Sequence, residues 1–344
     1  MSVKSNQYPP RIVRKSTPNI SRTRPVSPNS PGRSPTSQWL SLQTALGNRE
    51  MQRLLAANPG LAQLQPITTA PLIQRQPSAA NPTPVSAAQV EKSLGLARFI
   101  TDLNAALKTV TGVTTTLKAS DFSFFKPEDF VNHSLVKGDP DYYAAKQQAE
   151  SVCKATPAEM RQQCGQASSS AAAANQCVKQ YRAVQNALCK SGAPNDKLIA
   201  SFLSIRGLTH PSASTSLIVF DSQKSQILET VVHEGIHRLR GGHWAKRSRL
   251  GVRFYYKNNI LPPISRALDE GTVHIFTGLV INELQKKQWL KGYTTSAYAK
   301  EVQYVNKLLN ANGKNLDFLK KAYFTNQSDT DVELLQYWAS QTPF

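Results

Sequence analysis

The sequence is short of acidic residues, of sulfur and of long apolar runs, and each shortage excludes something. No stretch reaches the roughly 18 consecutive apolar residues that a membrane helix needs, so no membrane span is expected. Met1 to Arg24 is polar and broken by prolines where a signal peptide requires an apolar run of about 7 or more, so the general secretory route is not expected either. There is no repeat with a period of about 20 to 50 residues and no Gly-rich nucleotide fingerprint, which argues against solenoids and nucleotide-driven chemistry. The three methionines are Met1, Met51 and Met160, and the four cysteines contain no CxxC pair.

The shortage of acid is the most uneven. Against 41 Lys/Arg stand only 22 Asp/Glu, a net charge of +19 over 344 residues. Residues 1–90 hold ten of the basic residues, one acid (Glu50) and 13 of the 21 prolines, so 10 − 1 = 9 of the 19 positive charges lie in about a quarter of the chain. Such a segment buries too little apolar surface to offset its ordering entropy. Residues 1–86 therefore read as a disordered Pro/Ser/Arg-rich leader. Within it Trp39, Leu42, Leu46, Leu54 and Leu55 recur at helical intervals and describe a short amphipathic helix at about 38–57, closed by Asn58-Pro59-Gly60.

The remainder divides into a helical region, 87–192, and a second domain, 193–344. Apolar residues from Val90 to Leu107 describe one helix over 87–110, and 121–141 is aromatic and turn-rich without a clear assignment. Cys153, Cys164, Cys177 and Cys189 follow at steps of 11, 13 and 12, near three helical turns. Two antiparallel helices pinned by nested bridges, Cys153 to Cys189 and Cys164 to Cys177, fit that spacing, with Ala167 to Ala174 as the connection. A structural zinc site and free thiols in a reducing cytoplasm are the alternatives. Beyond Pro194, Ser216–Asp221 reads as a strand and Gln226–Leu239 as a helix with Leu228, Val231, Val232, Ile236 and Leu239 facing the core. Helices are expected at 264–290, 295–310, 316–324 and 330–340. The fold class is thus mainly α (α+β), with a small sheet.

The chemistry is concentrated in VVHEGIHRL. His233, Glu234 and His237 form an HExxH pattern, expected by chance only about 0.003 times in a chain with six His and eleven Glu. Two imidazoles four residues apart share one helical face and can converge on a single cation. The glutamate between them can reach a water at that cation. A catalytic zinc takes three protein ligands, which leaves one to find. Glu270, in ALDEGTVHIFTG and 33 residues beyond His237, would deliver a carboxylate from the next long helix, and Gly271 would permit a close helix approach. His243 is the alternative third ligand at the interval HExxHxxGxxH, but Arg240 stands where that pattern has its glycine and no methionine follows. Asp269 is a candidate to orient a ligand imidazole. His274, one turn on from Glu270, is a candidate to support a ligand, to stabilise a transition state or, least favoured, to be the third ligand itself, and Tyr255, Tyr256 and Tyr293 are candidates to stabilise a transition state. From Arg238 to Arg266 there are eight Lys/Arg and no acid, either a solvated face or a basic wall that would favour acidic substrates.

Two resemblances follow from these residues. Leu42-Gln43-Thr44-Ala45-Leu46-Gly47-Asn48-Arg49, continuing to Leu54-Leu55, resembles a signature near the N-termini of bacterial proteins associated with extracellular contractile injection systems. HEGIH with DEGTVHIFTG is similar to gluzincin-like zincin metallopeptidase domains found among such cargo, with Glu270-Gly271-Thr272 and Phe276-Thr277 fitting and His274 departing from the acidic residue common at its place. The resemblance spans about 216–290. It implies a zincin-like metallopeptidase domain binding Zn2+ through His233, His237 and Glu270, with Glu234 as the catalytic base. It further implies a protein or peptide substrate and a leader recognised by the injection-system tube or loading machinery. The protein would be made in the bacterial cytoplasm and delivered as a secreted toxin or effector. A non-catalytic zincin-fold component of the particle is the first alternative. A basic nucleic-acid-binding protein is the second, weakened by the absence of any recognised module.

Overall fold

The computed structural model describes residues 81–344 apart from 115, 168–169, 211–212, 249–253, 257–258, 296–297, 326–328 and 343. The leader, its amphipathic segment at 38–57 and the Leu42–Leu55 signature lie outside the described residues.

Ser86 opens α1 (Ala87–Leu94) by accepting a hydrogen bond from Gln89 N, and α2 (Leu96–Thr111) follows at once. The single helix expected over 87–110 is therefore two, because Gly95 adopts φ +65° and ends α1. Next come β1 (Phe122–Phe125), α3 (Pro127–Asn132), α4 (Ser134–Lys137), α5 (Pro140–Lys154), α6 (Pro157–Ala167) and α7 (Ala171–Leu188). The Ala/Ser run does not serve wholly as a connection: Ser170 caps α7, and Ala171 to Ala174 form its first turn. Then follow β2 (Cys189–Lys190), β3 (Ala193–Pro194), α8 (Asp196–Phe202), β4 (Gly207–Leu208), β5 (Ser216–Val219), α9 (Lys224–Arg238) and α10 (Gly242–Arg247). The chain ends through β6 (Phe254–Tyr256), β7 (Asn259–Leu261), α11 (Arg266–Lys286), α12 (Ala299–Ala311), α13 (Leu316–Phe324) and α14 (Asp329–Gln341). The protein is mainly helical with small sheets, and no described helix is long and apolar enough to cross a membrane.

The three-stranded sheet has the order β1-β5-β4, with β1 parallel and β4 antiparallel to β5. A parallel pair requires a long crossover. Here it holds α3 through α8 and both bridges, Cys153–Cys189 and Cys164–Cys177. Alternation along the strands splits the apolar residues between two cores. Phe122, Phe124 and Ile218 face a core built from α1, α2, α9 and α11 to α14. Phe125, Leu217 and Val219 face a second core with α3 to α8. The division at 192–193 read from the sequence runs through that second core.

The sheet and the first core position the chemistry. On α9, Ile227, Leu228, Val231, Val232 and Ile236 are all at most 2% exposed, so its axis is fixed against the sheet. Burying a residue of this kind contributes on the order of 1.5–3 kcal/mol. Ser265 caps α11 by accepting from Leu268 N, and α11 packs on α2, α9 and α12. Gly271 does permit a close approach, but to α12: a Cβ there would stand 2.4 Å from Glu301 O.

Candidate metal centre

The third and fourth turns of α9 carry His233 and His237 on one face, and the second turn of α11 carries Glu270 opposite them. Ligand atoms of these three residues lie within 4.8 Å of one another. Glu270 Oε2 is 3.1 Å from His233 Nε2 and 3.7 Å from His237 Nε2. Tetrahedral zinc bonds of about 2.0–2.1 Å place ligand atoms roughly 3.3 Å apart, so these two separations bracket the spacing of a His2Glu site. The donor set and its spacing could hold a divalent metal ion such as zinc.

The surroundings are tight. His233, Glu234 and His237 are all buried, and the Glu234 side chain lies against the edge strand β4. Gly207 is required there, since a Cβ would stand 2.5 Å from Glu234 Oε1. Asp269 Oδ2 is 3.7 Å from His237 Nδ1, on the opposite side of the ring from Glu270. Its other oxygen accepts from Trp244 Nε1 at 2.7 Å.

The remaining nominated residues sort by what they touch. His274 lies with its ring 6.2 Å from that of His233 and bonds Thr295 Oγ1 through Nε2 at 2.7 Å, so it borders the cluster without joining it. Tyr293 donates to Glu229. His243 pairs with Asp329 at 3.4 Å and is not brought to the cluster. Tyr255 and Tyr256 fall on β6, whose side chains lie outside the described residues. Tyr298 also faces the cluster: its ring stacks on His233 at 5.4 Å and 12° and lies 5.6 Å from that of His274. It stands at the start of α12 with φ +52°, a strained conformation for a residue with a Cβ. No pattern in the sequence marks it.

Among the described residues, four arginines of the basic segment take part in ion pairs within the fold. Arg238 pairs with Asp121, Arg240 with Asp269, Arg247 with Asp329 and Glu333, and Arg266 with Asp141. Four of its eight cations thus help to fix neighbouring elements, while Arg249, Arg253 and Lys257 lie outside the described residues.

Protonation follows from the same contacts. Burial opposes a charge on His237, but contact with Glu270 and the charges of Glu270, Asp269 and Glu234 outweigh it and raise its pKa to about 9. Burial alone would raise the Glu270 pKa, whereas its contacts with His233 and His237 hold it well below the usual carboxylate range. Burial, aided by His233, lowers His274 to about 4, so it is neutral at pH 7. These contacts therefore favour the protonated form of His237 at neutral pH. A folded pKa raised from 6.5 contributes stability that is complete below about 6.5 and lost as pH rises through about 9. A metal ion held by His237 would need that nitrogen free, so metal and proton would compete. Zinc affinity is expected to rise by about tenfold per pH unit between pH 7 and 8, which chelator-competition titrations at the two pH values would measure.

Compared with protein-family models, curated proteins and solved structures, the chain matches none of them. The functional reading therefore stands on the site.

Proposed function

We propose that the protein is a zinc-dependent peptidase built on a zincin-like arrangement. The observation that carries the reading is the convergence of His233, His237 and Glu270 with the Glu234 side chain buried on the adjoining residue. A bound zinc would be held by His233, His237 and Glu270 and would supply a Lewis acid that polarises a carbonyl and acidifies water. Glu234 would take the proton from the attacking water and return it to the leaving amine. Burial first, and then the charge of Glu270, raise the Tyr298 pKa far above the ordinary tyrosine value. Its hydroxyl therefore keeps its proton at neutral pH and could donate to a developing oxyanion.

The leader resemblance supports a further part of the reading: the peptidase would be effector cargo of a contractile injection system, loaded through residues 1–86. The test of the enzymatic part is direct. The zinc-loaded full chain should cleave an unstructured polypeptide such as reduced, alkylated casein, lose activity with a chelator and regain it with about one equivalent of zinc. Cleavage that survives chelation would discard the reading.

A further inference from the structure

We infer that Trp244 and Asp269 form a positioning unit that orients the His237 ring. The proposal rests on the reading of His233, His237 and Glu270 as a zinc site, and adds the residues that would make His237 a competent ligand.

The short helix α10 is held at both ends. At its start, Gly241 N donates to Tyr323 O at 2.7 Å, and a Cβ on Gly241 would stand 2.7 Å from Thr325 O, so this turn is locked to the end of α13. At its end, the Arg247 guanidinium is buried and donates to Asp329 at 2.9 Å, Glu333 at 2.6 Å and Gln336 at 3.1 Å. Between these anchors Trp244 is fully buried, its ring 4.8 Å from that of Tyr323. A buried indole N–H needs an acceptor. Here the acceptor is Asp269 Oδ1, at 2.7 Å.

That bond fixes where the second carboxylate oxygen points. Asp269 Oδ2 lies 3.7 Å from His237 Nδ1 and 3.6 Å from Arg240 NH1. Consecutive helical positions diverge by about 100°, so Asp269 and Glu270 reach His237 from two sides. Asp269 faces Nδ1 while Glu270 faces Nε2. With Asp269 on the Nδ1 side and Glu270 on the Nε2 side, the ring is held edge-on between two carboxylates, and its Nε2 edge faces the cluster. The nearby Tyr323 hydroxyl is buried with no hydrogen-bond partner in the structure, so it is not what holds Asp269. Without the indole donor, Asp269 is free to turn toward Arg240 and away from His237.

The test measures zinc affinity of the full chain by competition with a chelator of known strength. Trp244→Phe keeps an aromatic ring but removes the N–H, and should weaken zinc binding by about 10- to 100-fold, the usual cost of losing an outer partner of a ligating histidine. Asp269→Asn should weaken it similarly. A merely structural tryptophan would cost as much in the Asp269→Asn background as in wild type, whereas a positioning role predicts that Trp244→Phe adds less than about twofold there. Tyr323→Phe, in the same core, should leave affinity within about twofold. Wild-type and Trp244→Phe proteins with equal affinity would overturn the proposal, as would additive effects in the double variant. Should Trp244→Phe not fold, an unchanged zinc affinity in Asp269→Asn would overturn it alone. Absence of zinc uptake by the wild type would instead overturn the metal-centre reading, and this proposal with it.

Discussion

Glu234→Gln is expected to lower peptide hydrolysis by about 10²- to 10⁴-fold while leaving zinc content unchanged, the range associated with a lost general base. The substitution is nearly isosteric, which matters because Gly207 leaves no spare room around this side chain. The amide cannot accept the proton of an attacking water, but it is not a ligand and the His233, His237 and Glu270 atoms stay where they are. Initial rates on a quenched fluorescent peptide, with zinc measured on the same samples, check both halves. Undiminished cleavage would remove Glu234 from the mechanism and favour another base. Zinc retention without cleavage in the wild type would favour the non-catalytic reading of the same scaffold.

The second large effect is expected at Glu270. Glu270→Ala removes one of three ligand side chains and the only anion among them, leaving two buried imidazoles that repel once both are charged. Zinc binding should fall by at least about 10³-fold, and activity with it, since affinity depends on a completed charge-compensated donor set. His243→Ala is the informative partner, because its imidazole pairs with Asp329 instead of facing the cluster. That variant should retain zinc within about twofold of wild type. Elemental analysis after dialysis separates the two, and loss of metal in the His243 variant alone would reverse the assignment of the third ligand.

How much of this could be read from the chain depends on whether the determining contacts are local. HExxH places two imidazoles by helical geometry alone, so His233 and His237 are legible from spacing. Glu270 is legible because its helix start has a recognisable cap at Ser265 and an Asp-Glu-Gly run. By contrast, β1 pairs with β5 across 94 residues, Phe122 with Ser216, and nothing in the aromatic segment 121–141 announces a parallel partner so distant. Gly95 breaks a helix whose apolar periodicity runs straight through it, because a left-handed residue leaves the pattern on either side intact. Tyr298 and Trp244 could not be singled out. Each reaches the site through a turn whose path is set by tertiary packing, Gly241 against α13 in one case and a strained left-handed residue in the other.

The overall charge also acquires a different meaning. Of the +19, nine positive charges belong to the segment 1–90, while described arginines of the basic segment, Arg247 most of all, are consumed in ion pairs within the fold. Arg247 is among the most buried charged residues described, and its partners on α14 make that helix part of the support beneath the candidate metal centre. Polyanion binding gains nothing from cations already paired in this way. A nucleic-acid-binding role would require duplex affinity that falls steeply with salt and persists after chelation.

If His233, His237 and Glu270 together hold one zinc ion, as proposed, the metal stoichiometry of the purified full chain shows it most directly. Elemental analysis of wild type after equilibration with zinc and removal of excess should give about one zinc per chain. His233→Ala, His237→Ala and Glu270→Ala should each give essentially none. A wild-type chain without zinc, or three variants that keep it, would contradict the account.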